Sequence, residues 1–569
     1  MTAPQAADTL PAMQHARFAS RTAFLALSLL SACAASDATT STSAARADRP
    51  SGAFGHYLAG RFALAEADPA TAATELSRAA ALTPDEKELT TQALLAALAA
   101  ERPDAVALAR SISENHIAQL VLADEDMRVG RWDAAEKRYR SLPREVVTQQ
   151  LQPLLVAWAQ QGSGQTEAAL QTLRPLIGNP GLRGFYVMHA AMIADLGNRR
   201  TDAAQYFEML RADATQPNLR VAQILASWMA RNGQADQAQQ LLTTFADRVP
   251  EVRLVLRDLL AHIQERPVNS VQDGIAEAYL ALGAALRAQD QNELSQLTLD
   301  LGFRLRPDFA AARLMQEEIS TTQKRYGLAL QAVEAIPATD PLAAMARLRR
   351  AALLAQLDRN DEAIEALKRL ATEYPESTLP DVQLGDVFRI KRRFPEAIAA
   401  YTKAIARIDT PQKSDWLVFY DRGVAYERAG KWPLAEADLK LALQLWPDQP
   451  FVLNYLGYSW ADMGRNLTLA RQMIQAAAAA RKNDGAVTDS LGWVMFRQGE
   501  VANAIRALER AVELEPEDAT ISDHLGDAYF AAGRKLEARY EWKRALTLDP
   551  TPEDAAKLEA KLKNGRPNP

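Results

Sequence analysis

Residues 490–516 read SLGWVMFRQGEVANAIRALERAVELEP, and residues 524–550 read HLGDAYFAAGRKLEARYEWKRALTLDP. The second stretch repeats the pattern of the first. Small residues and prolines recur at matching places, namely Gly492 and Gly526, Gly499 and Gly533, Ala504 and Ala538, and Pro516 and Pro550. A fixed period is the mark of an array of repeated units, and it replaces the expectation of about four separate globular domains that the chain length would otherwise give.

The same period extends towards the N-terminus. Successive glycines lie at positions 423, 457, 492 and 526, and prolines lie at positions 307, 341 and 375. This even spacing resembles the tetratricopeptide repeat, whose unit is a helix–turn–helix of about 34 residues. The resemblance implies an all-α fold, a tetratricopeptide-repeat superhelix or α-solenoid.

Each repeated position has a physical role in such a unit. Gly492 and Ala504 are small, so the two helices of one unit can approach each other closely. Gly499 and Gly533 suit the turn between the helices, and Pro516 suits the start of the link to the next unit. The pattern weakens upstream, where we expect ten to thirteen recognisable units in a span that could hold about fourteen.

The repeat period, the stretch 266–274 and the N-terminal segment around Cys33, in which a basic and apolar run precedes small residues, divide the chain into five parts. We predict a lipoprotein signal peptide, a lipidated cysteine with a flexible tether, degenerate N-terminal helical repeats, a tetratricopeptide-repeat array, and a C-terminal helix with a polar tail, at residues 1–32, 33–52, 53–265, 275–550 and 551–569 respectively. The stretch 266–274, RPVNSVQDG, contains proline, glycine and polar residues. It marks either a break between two superhelical segments or an ordinary longer loop.

Composition limits the classes of partner and of covalent stabilisation. The formal net charge is −6, which argues against a nucleic acid as partner because phosphate binding requires a positive surface. The chain contains one cysteine, so no intrachain disulfide can form and no cysteine-rich zinc site can be built.

That cysteine, Cys33, lies in an informative place. Arg17 and Arg21 precede a short apolar run over residues 22–30, which is followed by Leu30-Ser31-Ala32-Cys33. The order is that of a cleavable signal peptide, and the run is about half the length needed to span a bilayer. The tetrapeptide resembles the bacterial lipobox, which implies lipidation at Cys33. Ala34 follows it where an aspartate would resemble an inner-membrane retention mark, so we expect an anchor in the outer membrane, facing the periplasm.

No catalytic, metal-binding or cofactor-binding pattern is apparent in the sequence. The six histidines are scattered, and none begins a His-Glu-x-x-His pair. Gly457-Tyr458-Ser459-Trp460-Ala461 partly matches a nucleophile elbow, but the final glycine is missing and Ser459 is predicted to lie inside a helix. We therefore expect a non-enzymatic protein without cofactors or metals. A cryptic hydrolase within the degenerate residues 85–230 is the remote alternative.

The first helices of successive units line the inner face of such a superhelix. Counting from the aligned glycines, the candidate protein-binding residues of this groove are Tyr420, Glu427, Asn454, Tyr455, Tyr458, Asp489, Trp493, Phe496, Asp523 and Asp527. Exposed aromatic rings beside charges suit protein recognition, because a ring buries a large area at low entropic cost. The alternative interpretation is that Tyr455 and Trp493 complete the packing between repeats.

The signal, the tether and repeats containing Asp489-Ser490-Leu491-Gly492-Trp493 and Asp523-His524-Leu525-Gly526-Asp527 together resemble a proteobacterial family of outer-membrane tetratricopeptide-repeat lipoproteins, the LbcA-like adaptors. The resemblance implies a non-enzymatic scaffold whose partners are periplasmic proteins, a carboxyl-terminal processing protease and its cell-wall hydrolase substrates. Of the family's functional residues, only the lipidated cysteine corresponds to a definite position here, Cys33. A scaffold for polysaccharide export or outer-membrane assembly is the alternative.

Overall fold

The computed structural model describes residues 52–143, 146–178, 183–213 and 217–565. All regular secondary structure in these residues is helical, which confirms the predicted all-α fold. Among them, no helix is both long enough and apolar enough to cross a membrane. Cys33, the predicted signal peptide and nearly all of the predicted tether lie outside the described residues.

The first half of the chain forms helices that are mostly of similar length. They are α1 Ala53–Ala65, α2 Pro69–Leu82, α3 Lys87–Ala99, α4 Ala105–Ser111, α5 His116–Arg128, α6 Trp132–Ser141, α7 Val146–Gly162, α8 Thr166–Ile177, α9 Arg183–Leu196, α10 Arg200–Asp213, α11 Leu219–Arg231, α12 Ala235–Arg248 and α13 Pro250–Ala261.

The second half continues in the same way, with one short 3₁₀ turn at Lys413–Asp415 before α22. Its helices are α14 Val271–Arg287, α15 Asn292–Leu305, α16 Ala310–Thr322, α17 Tyr326–Glu334, α18 Ala343–Gln356, α19 Asn360–Glu373, α20 Leu379–Ile390, α21 Phe394–Ile405, α22 Trp416–Arg428, α23 Trp432–Leu445, α24 Pro450–Asp462, α25 Leu467–Ala480, α26 Gly485–Arg497, α27 Val501–Leu514, α28 Ala519–Ala531, α29 Lys535–Thr547 and α30 Pro552–Asn564.

The helices of the described chain form fourteen helical hairpins, six from α1 to α12 and eight from α14 to α29, while α13 and α30 stand outside these pairs. The short connections place the two helices of a hairpin side by side in opposite directions. Each of the fourteen turns contains a residue with positive φ: Ala67, Glu101, Gly130, Gly164, Asn198, Gly233, Asp290, Lys324, Asp358, Arg392, Gly430, Gly464, Gly499 and Gly533. The turn roles of Gly499 and Gly533, whose φ values are 83° and 81°, are confirmed.

The fourteen hairpins equal the number that the span could hold and exceed the ten to thirteen units that we expect to be recognisable in the sequence. Half of the turns place another residue where glycine is the usual choice, for example Lys324 at φ 60° and Arg392 at φ 57°. Side chains other than glycine can adopt this conformation at a cost of roughly 1 kcal/mol. A search for periodic glycine therefore misses such turns.

Within a hairpin, the small positions do allow close contact. A Cβ atom on Gly492 would lie 2.7 Å from the side chain of Leu508, and one on Gly526 would lie 2.5 Å from Trp542. Ala504 is fully buried. The predicted packing role of Gly492 and Ala504 is confirmed.

The stretch 266–274 connects α13 with α14 and includes the start of α14. Ser270 caps this helix: its hydroxyl accepts from the backbone N–H of Asp273 at 3.0 Å, and the Asp273 carboxylate accepts from the backbone N–H of Ser270. This reciprocal pair satisfies backbone groups that would otherwise lack partners. A Cβ atom on Gly274 would lie 2.3 Å from Trp158, so α14 packs directly against α7.

The hairpin α14–α15 covers the first helices of four of the six N-terminal hairpins. α14 contacts α7 and α9, and α15 contacts α3 and α5. The hydroxyl of Tyr279 donates to the buried carboxylate of Asp124 at 2.8 Å, and Arg313 forms a two-pronged ion pair with Glu101 at 2.5 and 2.7 Å. Residues from both sides of the 266–274 stretch therefore share one hydrophobic core.

Candidate protein-binding groove

The ten candidate groove residues lie on the first helices of four consecutive hairpins. α22 carries Tyr420 and Glu427, α24 carries Asn454, Tyr455 and Tyr458, α26 carries Asp489, Trp493 and Phe496, and α28 carries Asp523 and Asp527. The repeat period places them on the same helix of each unit, so they form a continuous row. We call this row the groove.

The exposure of these residues divides them into two groups. Asp489, Trp493 and Asp527 are buried, with exposed fractions of 5%, 7% and 7%. The other seven are half-buried. The expectation of exposed aromatic rings therefore does not hold for Trp493, which packs between repeats as the alternative interpretation states.

At the α22–α24 end, aromatic rings contact each other across two repeats. The rings of Tyr420 and Tyr455 meet edge to face with centroids 5.6 Å apart. The hydroxyl of Tyr455 donates to the carboxylate of Glu427 at 2.9 Å. The hydroxyl of Tyr455 therefore has a hydrogen-bond partner in the neighbouring repeat. The Oδ1 atom of Asn454 is buried and has no hydrogen-bond partner among the described residues.

At the α26–α28 end, a buried histidine joins two repeats. His524 stacks on Trp493 with ring centroids 4.0 Å apart, and Phe496 stacks on the same indole at 5.1 Å. His524 Nδ1 lies 2.9 Å from a carboxylate oxygen of Asp489. The ring nitrogen and the carboxylate are both buried, so removing either partner would leave the other without compensation in the protein interior.

The protonation of His524 follows from this environment. Burial lowers the pKa of His524. The charge and hydrogen bond of Asp489, with the charges of Asp523 and Asp527, outweigh this effect, so the pKa lies above the ordinary value of 6.5. The imidazolium form is the one that pairs with Asp489.

The last helix, α30, supplies a cation to the groove. Lys561 Nζ lies 2.6 Å from Asp523 and 2.8 Å from Asp527. Asp527 also accepts from the indole N–H of Trp542 at 3.0 Å. Burial raises the pKa of Asp527, and the charge of Lys561 acts in the opposite direction.

The groove has accessible polar groups in its central part. Tyr458 is half-buried, and burial together with the carboxylates of Asp462 and Asp489 raises the pKa of its hydroxyl. The side chains of Asp462 and Arg428 are 55% and 59% exposed. A partner could reach these exposed side chains, whereas at the α28 end Asp527 is buried and Asp523 is half-buried and paired with Lys561.

Sequence reasoning missed His524, Lys561 and Arg428. Ser490 and Asp421 are the residues equivalent to His524 in two earlier repeats, and both are buried. A polar residue that recurs at this position between repeats was the signal that could have identified His524. Lys561 lies outside the periodic array, and no pattern in the sequence relates it to Asp523.

The structure shows no nucleophile elbow at Ser459, where the sequence partly matches that motif. Ser459 lies inside α24, and its hydroxyl donates to the backbone carbonyl of Tyr455 at 2.8 Å. In the part of the chain that the structure describes, no group of three or more histidine, cysteine, aspartate or glutamate residues could hold a metal ion.

Comparison with protein-family models identifies the repeats in two regions. A tetratricopeptide-repeat model matches residues 490–555, and a tetratricopeptide repeat-like domain model matches residues 268–419. A curated relative, the TPR repeat-containing protein PA4667 of Pseudomonas aeruginosa, is 29% identical over 174 residues, which cover 30% of this chain and 28% of that protein.

The solved structures that this protein matches share little sequence with it. The Cut9–Hcn1 hetero-tetramer of the APC/C matches over 90% of this chain and 95% of that chain, with 16% identity and a TM-score of 0.38. Yeast Tom70 matches over 80% of this chain and 96% of its own, with 13% identity and a TM-score of 0.33.

Proposed function

We propose that this tetratricopeptide-repeat protein is a non-enzymatic, lipid-anchored scaffold that holds periplasmic proteins in the groove of α22, α24, α26 and α28. The observation that carries the proposal is the difference between the two halves. The first helices α3, α5, α7 and α9 are covered by the chain's own hairpin α14–α15. The groove on the C-terminal hairpins retains accessible tyrosine and charged groups.

The groups in the groove indicate the kind of ligand it binds. Tyr458, Asp462 and Arg428 combine an aromatic ring with both signs of charge. Such a surface suits a polypeptide segment with mixed polar and apolar side chains, because the ring supplies buried area and the charges fix orientation. A small-molecule substrate would need an enclosed pocket, whereas a row of half-buried residues suits an extended partner.

The anchor would be the thioether-linked lipid at Cys33, the one cysteine of the sequence. Several acyl chains together give stable attachment, since each buried methylene contributes about 0.8 kcal/mol. Attachment at the outer membrane would confine the scaffold and its partners to the same layer, which raises their effective concentration.

The partner we favour is a carboxyl-terminal processing protease, brought together with cell-wall hydrolases as its substrates. The resemblance at residues 489–493 and 523–527 to the outer-membrane adaptor family supports this choice.

A reconstitution with purified proteins tests the scaffold role. The mature protein should have no hydrolytic activity alone, and it should accelerate cleavage of a wall hydrolase when the protease of the same envelope is added. Tyr458→Ala with Asp462→Ser should reduce that acceleration, and Leu536→Ala on exposed α29 serves as the matched control. Hydrolysis by the isolated protein would contradict the proposal.

Cell fractionation tests the anchor separately. After membranes are washed with alkaline carbonate, which strips peripherally bound chains but not acylated ones, Cys33→Ala should be lost from the membrane fraction. An unchanged distribution after the wash would contradict lipidation at this residue, without bearing on the groove.

A further inference from the structure

A stripe of large apolar side chains is exposed on α1. Phe54, Leu58 and Phe62 recur at every fourth position, and their exposed fractions are 72%, 50% and 67%. Side chains at this spacing lie on one face of a helix. Three neighbouring apolar side chains exposed to this extent indicate a surface that another body covers.

The register of the repeats shows which face this is. Gly60 on α1 contacts Leu76 as Gly492 contacts Leu508, so the two glycines are equivalent positions. Leu58 therefore corresponds to Ser490, which is 3% exposed. In the later hairpins this face packs against the preceding repeat: His524 of α28, which also corresponds to Leu58, stacks on Trp493 of α26.

The residue equivalent to Phe62 is small in the later repeats. It is Ala425 in α22, Val494 in α26 and Ala528 in α28, and each of these is fully buried. A phenyl ring at that position is too large to allow a preceding helix to pack at the distance found between the later repeats. The terminal repeats of soluble arrays have polar outer faces, and α1 does not.

We propose that this face of α1, formed by Phe54, Leu58 and Phe62, docks on the phospholipid surface of the membrane. α1 contains no acidic residue, and Arg61 is exposed beside the stripe, so anionic head groups would not repel the helix. A helix with phenylalanine and leucine on one face and without negative charge is suited to the interface between head groups and acyl chains.

The position of α1 in the chain favours lipid over a protein partner. Because few residues join Cys33 to Ala53, α1 remains within about 70 Å of the acylated cysteine even if the connection is fully extended. The proposal rests on the proposed lipid anchor for this proximity. Docking would orient the array relative to the bilayer, which a tether alone does not do.

Flotation with vesicles tests the proposal without the lipid anchor. The mature chain, residues 33–569 with Cys33→Ser, is mixed with vesicles of phosphatidylethanolamine and phosphatidylglycerol and centrifuged through a density gradient. We expect the protein to float with the vesicles. Phe54→Ser with Phe62→Ser should lower the bound fraction by about tenfold, because two phenyl rings no longer enter the interface.

A matched variant controls for general loss of apolar surface. Leu536 and Tyr540 on α29 are 83% and 66% exposed, so Leu536→Ser with Tyr540→Ser removes a comparable pair elsewhere. This variant should float like the unmodified chain. Circular dichroism of all three proteins shows whether each is folded.

The outcomes separate the possible occupants of the face. Failure of the unmodified chain to float, or equal flotation of both double variants, would overturn the proposal. A concentration-dependent dimer that Phe54→Ser with Phe62→Ser abolishes, without flotation of the unmodified chain, would assign the face to a second copy. Because this protein lacks the acylated cysteine, none of these results depends on lipidation or on the groove.

Discussion

His524 on α28 and Trp493 on α26 form a parallel stack, with ring centroids 4.0 Å apart and ring planes 15° from parallel. The two residues belong to consecutive repeats. Their contact, together with the pair between His524 and Asp489, joins α26 to α28 across the inner face. In a repeat array, interfaces of this kind supply much of the stability of each unit.

The first prediction concerns Trp493. Trp493→Ala should destabilise the C-terminal repeats by about 3 kcal/mol, because it removes a buried indole and leaves a cavity beside His524. Urea unfolding followed by circular dichroism measures the change. Tyr540→Ala, at a side chain that is 66% exposed, should change the stability by about 0.5 kcal/mol or less. If Trp493→Ala left the stability unchanged, the indole would have to be accessible to solvent, and the packing between repeats assigned to it here would be wrong.

The second prediction is a pH dependence at His524. Because its folded-state pKa is raised above 6.5, the protonated ring contributes stability that is fully present below pH 6.5 and is lost as the pH rises through the folded-state pKa. His524→Gln should remove this part of the pH profile of urea unfolding. Asp489→Asn should remove it too, since it deletes the partner. A profile unchanged in either variant would contradict the ion pair.

The third prediction concerns Asp124, which holds α14 against α5. Burial raises its pKa to about 6, although hydrogen bonds from Tyr139 and Tyr279 lower it. The folded state then binds more protons than the unfolded state between about pH 4 and pH 6, so ionisation of Asp124 reduces stability by about 2–3 kcal/mol over that range.

Replacing the carboxyl group tests this sign. Asp124→Asn keeps an oxygen that can accept from the tyrosine hydroxyls. As the pH rises from 4 to about 7, its stability should fall by about 2–3 kcal/mol less than that of the unmodified protein, while other buried acids such as Asp300 still contribute to the decline. Thermal unfolding across this range provides the measurement. The exposed Asp247→Asn should retain the profile of the unmodified protein. A decline in Asp124→Asn that is as steep as that of the unmodified protein, or steeper, would contradict the assignment.

The fourth prediction concerns the turns. Lys324 is exposed and has a φ of 60°, so Lys324→Gly should stabilise the protein by relieving this strain, by at most about 1 kcal/mol. Gly499 has a φ of 83° and open space around it, so Gly499→Ala should destabilise the protein by about 1 kcal/mol through the backbone alone. Urea unfolding of the two variants checks the opposite signs.

The sequence predicted the fold because glycine and proline recur with the repeat period. At Gly492 and Gly499 the residue type itself records a close contact or a left-handed turn. At Lys324 and Ala67 the same backbone conformation occurs without glycine, so the local sequence carries no sign of it. This is why not every hairpin could be recognised in the sequence, although the length of the span allowed about fourteen.

The groove was predictable in position but not in its internal pairing. The period places Tyr458 and Trp493 on the first helices of adjacent hairpins. Whether such a ring is accessible depends on the side chain that the next repeat brings beside it, here His524. Contacts between distant parts of the chain are harder still, since Tyr279 and Asp124 are 155 residues apart.

The most direct test of the scaffold is photocrosslinking in living cells. p-Benzoylphenylalanine in place of Tyr458 lies in the central groove, and the same residue in place of Tyr540 lies on α29 as an exposed control. We predict that illumination links the Tyr458 position to a discrete envelope protein, which mass spectrometry identifies as a protease or wall hydrolase, and that the Tyr540 position yields no such adduct. Equal adducts at both positions, or none at Tyr458, would contradict the groove as the protein-binding surface.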